Sequence, residues 1–544
     1  MSTSNGWNFA DVWDTVAAVR PDAPALVNGG RRVNWATLER RAASVTASLA
    51  GAGLDRGDKV ALYLHNAPEY MEGAYAAMKA GLVPVNTNYR YVQDELLYLW
   101  TNADVAAVVF HGAFTPTIEG VRGRCPLVRL WLHVNDGSGP CPPWATPYEE
   151  AASTTPRSLE RSGDDLILIY TGGTTGLPRG VMWRQHDLFL ASNTTGDPSE
   201  PDLAFVRARL NGPGPISGPV GLPAAPLMHG TGFVFAATVL NRGGTVLTLP
   251  DPKFDAARLL DAIEEERVTD LCIVGDAFCR PMVEVLDREP GRWDLSSLRV
   301  VSSSGMMWSP AVKARLLEHA PSVLMIDFLN SSEASGLGRS LTSARKSEAG
   351  ARFKLGENAL VLDDDDTPMP AGSGRPGRLA VRGRVPLGYY KDPAKTAATF
   401  PVIDGVRYAV PGDYALVEPD GSITLLGRGS VSINTGGEKV FPEEVEEAVK
   451  TFPAIRDAVV VGVPDPRFGQ AVAAVVEAVE GGTIKRDDLL AHLRSRLAPH
   501  KLPRIVVPVD TIGRAPNGKA DYAALGRRAA DWHAAQSHAG AGKE

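Results

Sequence analysis

A chain of 544 residues is too long for one hydrophobic core and calls for at least two domains. Its hydrophobic content of 44% and charged content of 22% are ordinary for a globular protein, and a formal charge of -7 with a pI near 5.9 leaves no basic footprint for nucleic acid. The four cysteines, Cys125, Cys141, Cys272 and Cys279, lack CxxC spacing and paired histidines, which argues against a zinc site or a disulfide framework and for reduced thiols.

In chain order, the N-terminal stretch Met1 to Asp22 carries acidic residues early and has no basic-then-apolar design. No window approaches the roughly 18 uninterrupted apolar residues of a membrane span, so no integral membrane association is expected and the chain is placed in the cytoplasm. Helical spacing from Thr37 to Ala52 and from Ala67 to Ala80 brackets a strand from Asp58 to His65, the alternation of a layered α/β domain. Leu166 to Ile169 reads as a further apolar strand running into YTGGTTGLPRG, Tyr170 to Gly180, with four glycines and three threonines. Glycines let backbone N–H groups close on phosphate oxygens, Thr171, Thr174 and Thr175 add hydroxyls, and Arg179 adds a cation, so a nucleotide triphosphate is the expected ligand.

Further along, Asn211 to Pro223 reads as a Gly/Pro-rich loop, and Asp363 to Asp366 followed by TPMPAGSG as a hairpin tip whose acids face solvent rather than a metal. After Leu426 the elements shorten, with helices expected over Glu443 to Phe452 and Asp487 to Leu497 and a fraying tail from Ala530. GRAPNGKA, Gly513 to Ala520, imitates a Walker A loop. However, Ala520 stands where magnesium needs a hydroxyl, and the strand-then-helix setting is missing, so a P-loop ATPase is the weaker reading.

The Gly/Thr loop and GRAPNGKA flank PLMHGTG (Pro226 to Gly232), SSE (Ser331 to Glu333), LGYY (Leu387 to Tyr390), PGDY (Pro411 to Tyr414), GRGSVSINTGGEKVFPEEVEE (Gly427 to Glu447) and VGVPDPRFGQ (Val461 to Gln470). In this order, along nearly the whole chain, they resemble the signatures of the adenylate-forming superfamily: acyl-CoA synthetases, luciferases and nonribosomal adenylation domains. The resemblance implies a large N-terminal α/β domain over 1–427, made of layered β-sheets with flanking helices and a small β-barrel subdomain. A hinge at 428–430 and a mobile α+β C-terminal domain over 431–544 would follow.

It also implies roles. Lys519 would bridge the substrate carboxylate and the α-phosphate, a task that suits a flexible ammonium. Glu333 would bind Mg2+ together with Thr175. His229 would line the passage between acyl site and thiol channel. Gly172, Gly173, Thr174 and Gly176 would hold phosphates with Thr171 and Arg179. Ser304, Gly305 and Met306 would cover the adenine, and Asp327, Phe328, Leu329, Asn330, Ser331 and Ser332 would complete the nucleotide site. Asp413 and Arg428 would meet the ribose, Gly437 and Lys439 the pantetheine of coenzyme A, and Ser430 would be the hinge. Val274, Gly275, Phe278 and Ser303 would border the acyl pocket, whose apolar content suits a hydrophobic carboxylate, although Asp276 leaves an amino acid open.

The chain departs from the family pattern in four places. Gly172 replaces a usual Ser, Arg179 a usual Lys, the usual aromatic against adenine has moved or been replaced by Leu329, and Ser430 replaces the usual Asp or Lys hinge. The expected reaction is ATP-dependent formation of an acyl adenylate, with pyrophosphate released, followed by acyl transfer to coenzyme A. The acid is expected to be a fatty acid or a steroid side-chain acid. Alternatives are loading of a carrier protein, an adenylate-binding relative without turnover, or luciferase-like oxidation. A homodimer is plausible.

Overall fold

The structure, a computed structural model, describes residues 6–173, 176–192, 203–211, 218–306, 308–347, 352–428, 432–435, 438–465, 469–494, 496–497, 499–515, 518 and 520–541. A large N-terminal α/β domain with several sheets precedes a small α+β C-terminal domain, and by contact density the chain forms two compact units, 1–348 with 381–409 and 349–380 with 410–544.

The first unit holds two sheets. One runs in the order Arg31–Asn34, Pro24–Asn28, Thr245–Thr248, Val220–Pro223, Asp270–Ile273, Val300–Ser304, Leu324–Ser331 and Ala334–Ser343. Its central strands are parallel, and only the outermost pairs are antiparallel. Such strands are covered on both faces and read as apolar runs. Leu222, Leu271, Val301 and Met325 pack here with Leu259 and Leu260 from the helix Ala256–Glu265 and with Phe278 and Met282 from the helix Gly275–Arg288.

The second sheet runs Gly388–Tyr389, Gly176–Arg184, Leu166–Gly173, Val83–Asn86, Lys59–Tyr63, Val105–His111, Leu130–Val134 and Thr146–Pro147. The strand expected over Asp58 to His65 is Lys59–Tyr63, and the flanking helices are Trp35–Gly51 and Pro68–Lys79. Every residue of Pro68–Lys79 is buried, Lys79 through ion pairs to Asp14 and Glu39. Among the described residues no helix is long and apolar enough to cross a membrane.

The Gly/Pro-rich stretch from Asn211 is not loop throughout. Val220–Pro223 is a strand between Thr245–Thr248 and Asp270–Ile273, because parallel partners on both sides outweigh its turn-forming composition. The acidic run is a tight turn as expected: Asp363 Oδ1 accepts from Asp365 N and Thr367 N, and Arg378 spans Asp363 O and Asp366.

In the second unit an antiparallel array of Arg352–Leu355, Ile423–Arg428 and Asp413–Val417 precedes a five-stranded sheet. There Ile455–Asp465 pairs with Gly469–Ala478 over its full length. Ala458 and Val460 face the helices Pro442–Lys450 and Arg486–Arg494, while Val459, Val461 and Val463 face Tyr522–Ala541. With both faces covered, the apolar run Ala458–Val461 needs no polar alternation. The tail expected to fray from Ala530 is instead helical to Ala541, since Leu525 and Ala529 dock its first turns and alanine favours the helix beyond them.

Candidate active site

The strand Leu166–Gly173 does not lead into a helix but turns back as Gly176–Arg184, so the Gly/Thr segment is the end of an antiparallel hairpin. Thr171 lies opposite Arg179 and Gly173 opposite Gly176, while Thr174 and Thr175 lie outside the described residues. Gly180 is dictated by a close approach, because a Cβ there would sit 2.5 Å from the Tyr170 ring. Arg179 Nε lies 3.0 Å from Asp392 Oδ2, and that carboxylate also caps the helix Pro393–Thr399 through Lys395 N. The Lys395 N–H and then the Arg179 guanidinium hold the Asp392 carboxyl below its ordinary value. Beside it opens a polar pocket of about 270 Å³ lined by Tyr98, Asn102, Arg179, Tyr390, Lys391 and Asp392.

Ser332 and Glu333 form the tip between Leu324–Ser331 and Ala334–Ser343, where Ser331 pairs with Ala334. The same hairpin braces this tip: Trp183 Nε1 donates to Ser332 O at 2.8 Å. Tyr389, paired with Val181 of the same hairpin, donates its hydroxyl to Glu333 Oε1 at 2.8 Å. Gly388 permits this placement, since its φ is +141° and a Cβ would meet Thr396 Cγ2 at 2.3 Å. Thr396 Oγ1 in turn accepts from Tyr389 N. Ser331 Oγ is buried without a protein partner, and Asn330 Oδ1 accepts from Gly336 N.

The expected adenine segments are neighbours, with Ser303 opposite Asp327 and Ser304 opposite Phe328. Gly305 follows at the strand end, Met306 packs on the core beneath, and Phe328 and Leu329 are less buried than Asp327. Asp327 is turned inward. Its carboxylate lies 3.4 Å from Lys313 Nζ, and that ammonium sits 5.2 Å above the Trp308 ring. Burial pushes the Asp327 carboxyl up to about 6, with Lys313 opposing.

His229 precedes the helix Gly230–Asn241. With Met228, Asn86, Ile169 and Phe233 it borders an apolar cavity of about 20 Å³, close to the size of one water. Of the expected acyl-pocket residues, Val274 and Phe278 are buried, Phe278 meets Phe254 edge-on at 4.8 Å, and Gly275 N donates to Ser303 Oγ at 2.9 Å. Asp276 is already engaged by Arg280 and by Ser309 N.

In the second unit Asp413 pairs across strands with Arg428, which brings the two expected ribose residues together. Lys439 stands opposite Asn434 in the hairpin Ile433–Thr435 and Glu438–Val440. Ser430, Gly437 and Lys519 lie outside the described residues. Gly518, next to Lys519, is held by a residue the sequence reading passed over. Arg514 donates to Gly518 O at 3.1 Å and grips Asp457 with two nitrogens at 2.6 and 3.1 Å. Burial pushes the Asp457 carboxyl up, but the Arg514 hydrogen bonds and the charges of Lys450 and Arg514 outweigh it and leave the group below its ordinary value. Tyr389, Trp183, Asn86 and Lys313 were passed over as well. Tyr389, Arg514 and Trp183 stand inside segments that carry the resemblance, Trp183 in VMWRQHDLF (Val181 to Phe189), while Asn86 and Lys313 carry no local signal.

The family model for the AMP-binding enzyme matches residues 13–390, and that for the AMP-binding enzyme C-terminal domain matches residues 444–519. A medium/long-chain-fatty-acid–CoA/3-oxocholest-4-en-26-oate–CoA ligase of Mycolicibacterium smegmatis is 41% identical over 529 residues, covering 95% of each chain. A 3-oxocholest-4-en-26-oate–CoA ligase of Rhodococcus rhodochrous is 40% identical over 95% of this chain and 94% of its own. Among solved structures, an anthranilate CoA ligase, AuaEII, in complex with anthranoyl-AMP superposes with a TM-score of 0.83 at 22% identity, covering 98% of this chain and all of that one. The motifs, the two-domain fold and these alignments along nearly its whole length agree that the chain belongs to the AMP-binding enzyme family.

Proposed function

We propose that this chain is an AMP-forming acyl-CoA synthetase that activates a hydrophobic carboxylic acid with ATP and passes the acyl group to coenzyme A. The observation that carries the reading is the bracing of the Ser332–Glu333 tip by Trp183 of the hairpin and by Tyr389 paired with it, which ties a carboxylate to the hairpin whose glycines suit phosphates. The relatives named as CoA ligases for fatty acids and a steroid acid support both the reaction and the apolar substrate.

In the first half-reaction the substrate carboxylate oxygen attacks the α-phosphorus and the bond to pyrophosphate breaks. Backbone N–H groups of the hairpin and the Arg179 guanidinium offset charge on the leaving pyrophosphate, and Arg179 must exchange Asp392 for phosphate. Lys519, on the C-terminal domain over 431–544, sits between carboxylate and α-phosphate. Asp413 and Arg428 hold the ribose. Rotation at 428–430, about Ser430, then withdraws Lys519 and brings Gly437 and Lys439 to the pantetheine arm. The thiol attacks the acyl carbon, AMP leaves, and His229 lines the passage between acyl and thiol channels.

Mg2+ fits this site: Glu333 keeps one carboxylate oxygen free of Tyr389, Ser331 Oγ is buried nearby in sequence without a protein partner, and magnesium takes one or two carboxylates plus substrate phosphates. When bound, it would neutralise phosphate charge, held by Glu333 and Thr175.

Two measurements test the reading. The first is mass spectrometry of ATP, Mg2+ and a panel of fatty, aryl and steroid side-chain acids, with and without coenzyme A. Thioester and AMP appearing only with coenzyme A are expected, and adenylate without thioester overturns the acceptor assignment. The second is Tyr389→Phe, which removes the hydroxyl that orients Glu333. Its expected effect is a roughly tenfold loss in kcat/KM for adenylation, the size of one hydrogen bond to a charged group, together with a higher Mg2+ requirement in titrations.

A further inference from the structure

We infer that Asn86 is a positioning residue that fixes the phosphate hairpin against the loop carrying His229, and that Asn66 holds the same loop independently of the hairpin. The inference rests on the reading of the hairpin as the triphosphate site and of His229 as a wall of the acyl passage.

Asn86 ends the strand Val83–Asn86, whose parallel pairing with the hairpin strand is registered at Val85 and Leu168. Past that point its side chain takes over the role of a backbone amide. Oδ1 accepts from Tyr170 N at 2.6 Å, and Nδ2 donates to Tyr170 O at 2.9 Å. The remaining Nδ2 proton goes to Met228 O at 2.6 Å, the carbonyl of the peptide bond leading into His229. One carboxamide thereby uses both donors and an acceptor to join Tyr170, the residue before Thr171, to the residue before His229.

Asn66 follows the neighbouring strand Lys59–Tyr63 in the same way. Its Nδ2 donates to Pro223 O at 3.1 Å and Ala225 O at 3.2 Å, and its Oδ1 accepts from Leu227 N at 2.7 Å. It therefore grips the loop before His229, and none of these three bonds goes to the hairpin. The strands lie side by side in the second sheet, whereas the gripped loop leaves the first sheet at Pro223. The two carboxamides tie the sheets together.

This difference in partners gives the test. In Asn86→Ser the hairpin loses its side-chain partner, so KM for ATP and the calorimetric Kd for ATP are expected to rise about tenfold, with KM for the acid rising too. In Asn66→Ser only KM for the acid is expected to rise, with ATP affinity within about twofold of the parent enzyme. If Asn86→Ser does not fold, Asn86→Asp carries the same comparison, keeping the shape and the acceptor while removing the donors. Loss of kcat with both constants unchanged, or the same pattern in both variants, overturns the inference and leaves Asn86 as scaffold. ATP calorimetry needs no turnover, so it reads Asn86 even if the unaltered chain makes no thioester, an outcome that would count against the synthetase reading instead.

Discussion

Lys519→Ala is expected to lower acyl-adenylate formation about 10³-fold while leaving thioester formation from a supplied acyl adenylate within about threefold of the parent enzyme. The asymmetry follows from where charge develops. In adenylation the attacking carboxylate and the phosphate oxygens are all anionic, and one mobile ammonium between them lowers both the repulsion of approach and the charge of the pentavalent phosphorus. In thioester formation the electrophile is an acyl carbon already activated by its bond to AMP, and no second anion needs to be brought to phosphorus. Lys519→Arg is expected to recover only part of the loss, since a planar fork does not sit between two oxygens as a point charge does. The check is a single-turnover measurement of each half-reaction, with pyrophosphate release reporting the first and thioester the second. Equal loss in both halves would sink the assignment of Lys519 to adenylation.

The large features of this mechanism were legible in the chain because they are local. Leu166 to Ile169 is an apolar strand by composition, and the strand stands where expected, within Leu166–Gly173. The same holds for the apolar run Ala458–Val461, a strand covered on both faces. What was not legible is what depends on partners far away in sequence. Glu333 was read from SSE, but the hydroxyl that orients it comes from Tyr389, 56 positions on, and the indole that holds Ser332 from Trp183, 149 positions back. Arg179 was read as a phosphate cation, yet the structure engages it with Asp392, so ATP has to compete for it. Asp327 was read as an acceptor for adenine, yet its carboxylate is turned to Lys313 in the layer below. No periodicity or motif encodes such pairings. The misreading of the tail from Ala530 has a different origin: its composition suggested fraying, whereas Leu525 and Ala529 dock the helix and let helix propensity carry it on to Ala541.

Asp457→Asn is expected to destabilise the C-terminal domain by about 2–3 kcal/mol at pH 7, between the loss seen for exposed and for fully buried pairs, because side-chain exposures of 21% for Asp457 and 15% for Arg514 leave the pair mostly screened from water. The pH dependence fixes the cause. A carboxyl whose folded pKa lies below its unfolded value of about 3.9 contributes stability in full above that value and loses it as pH falls through the folded one. The difference between parent and variant in denaturation midpoints is therefore expected to be constant from neutral pH down to about 5 and to shrink below about 4. A difference that persists undiminished in acid would mean that shape, not charge, holds the pair. The consequence for catalysis runs through Arg514, which also donates to Ala458 O and to Gly518 O, one residue before Lys519. Once Asp457 no longer holds the guanidinium as an ion pair, the GRAPNGK loop keeps only the Arg514 bond to Ala458 O on the strand Ile455–Asp465 as a firm anchor. Adenylation should then fall with little change in thioester formation, the same asymmetry as Lys519→Ala but smaller, because the ammonium is still present and only its placement is lost.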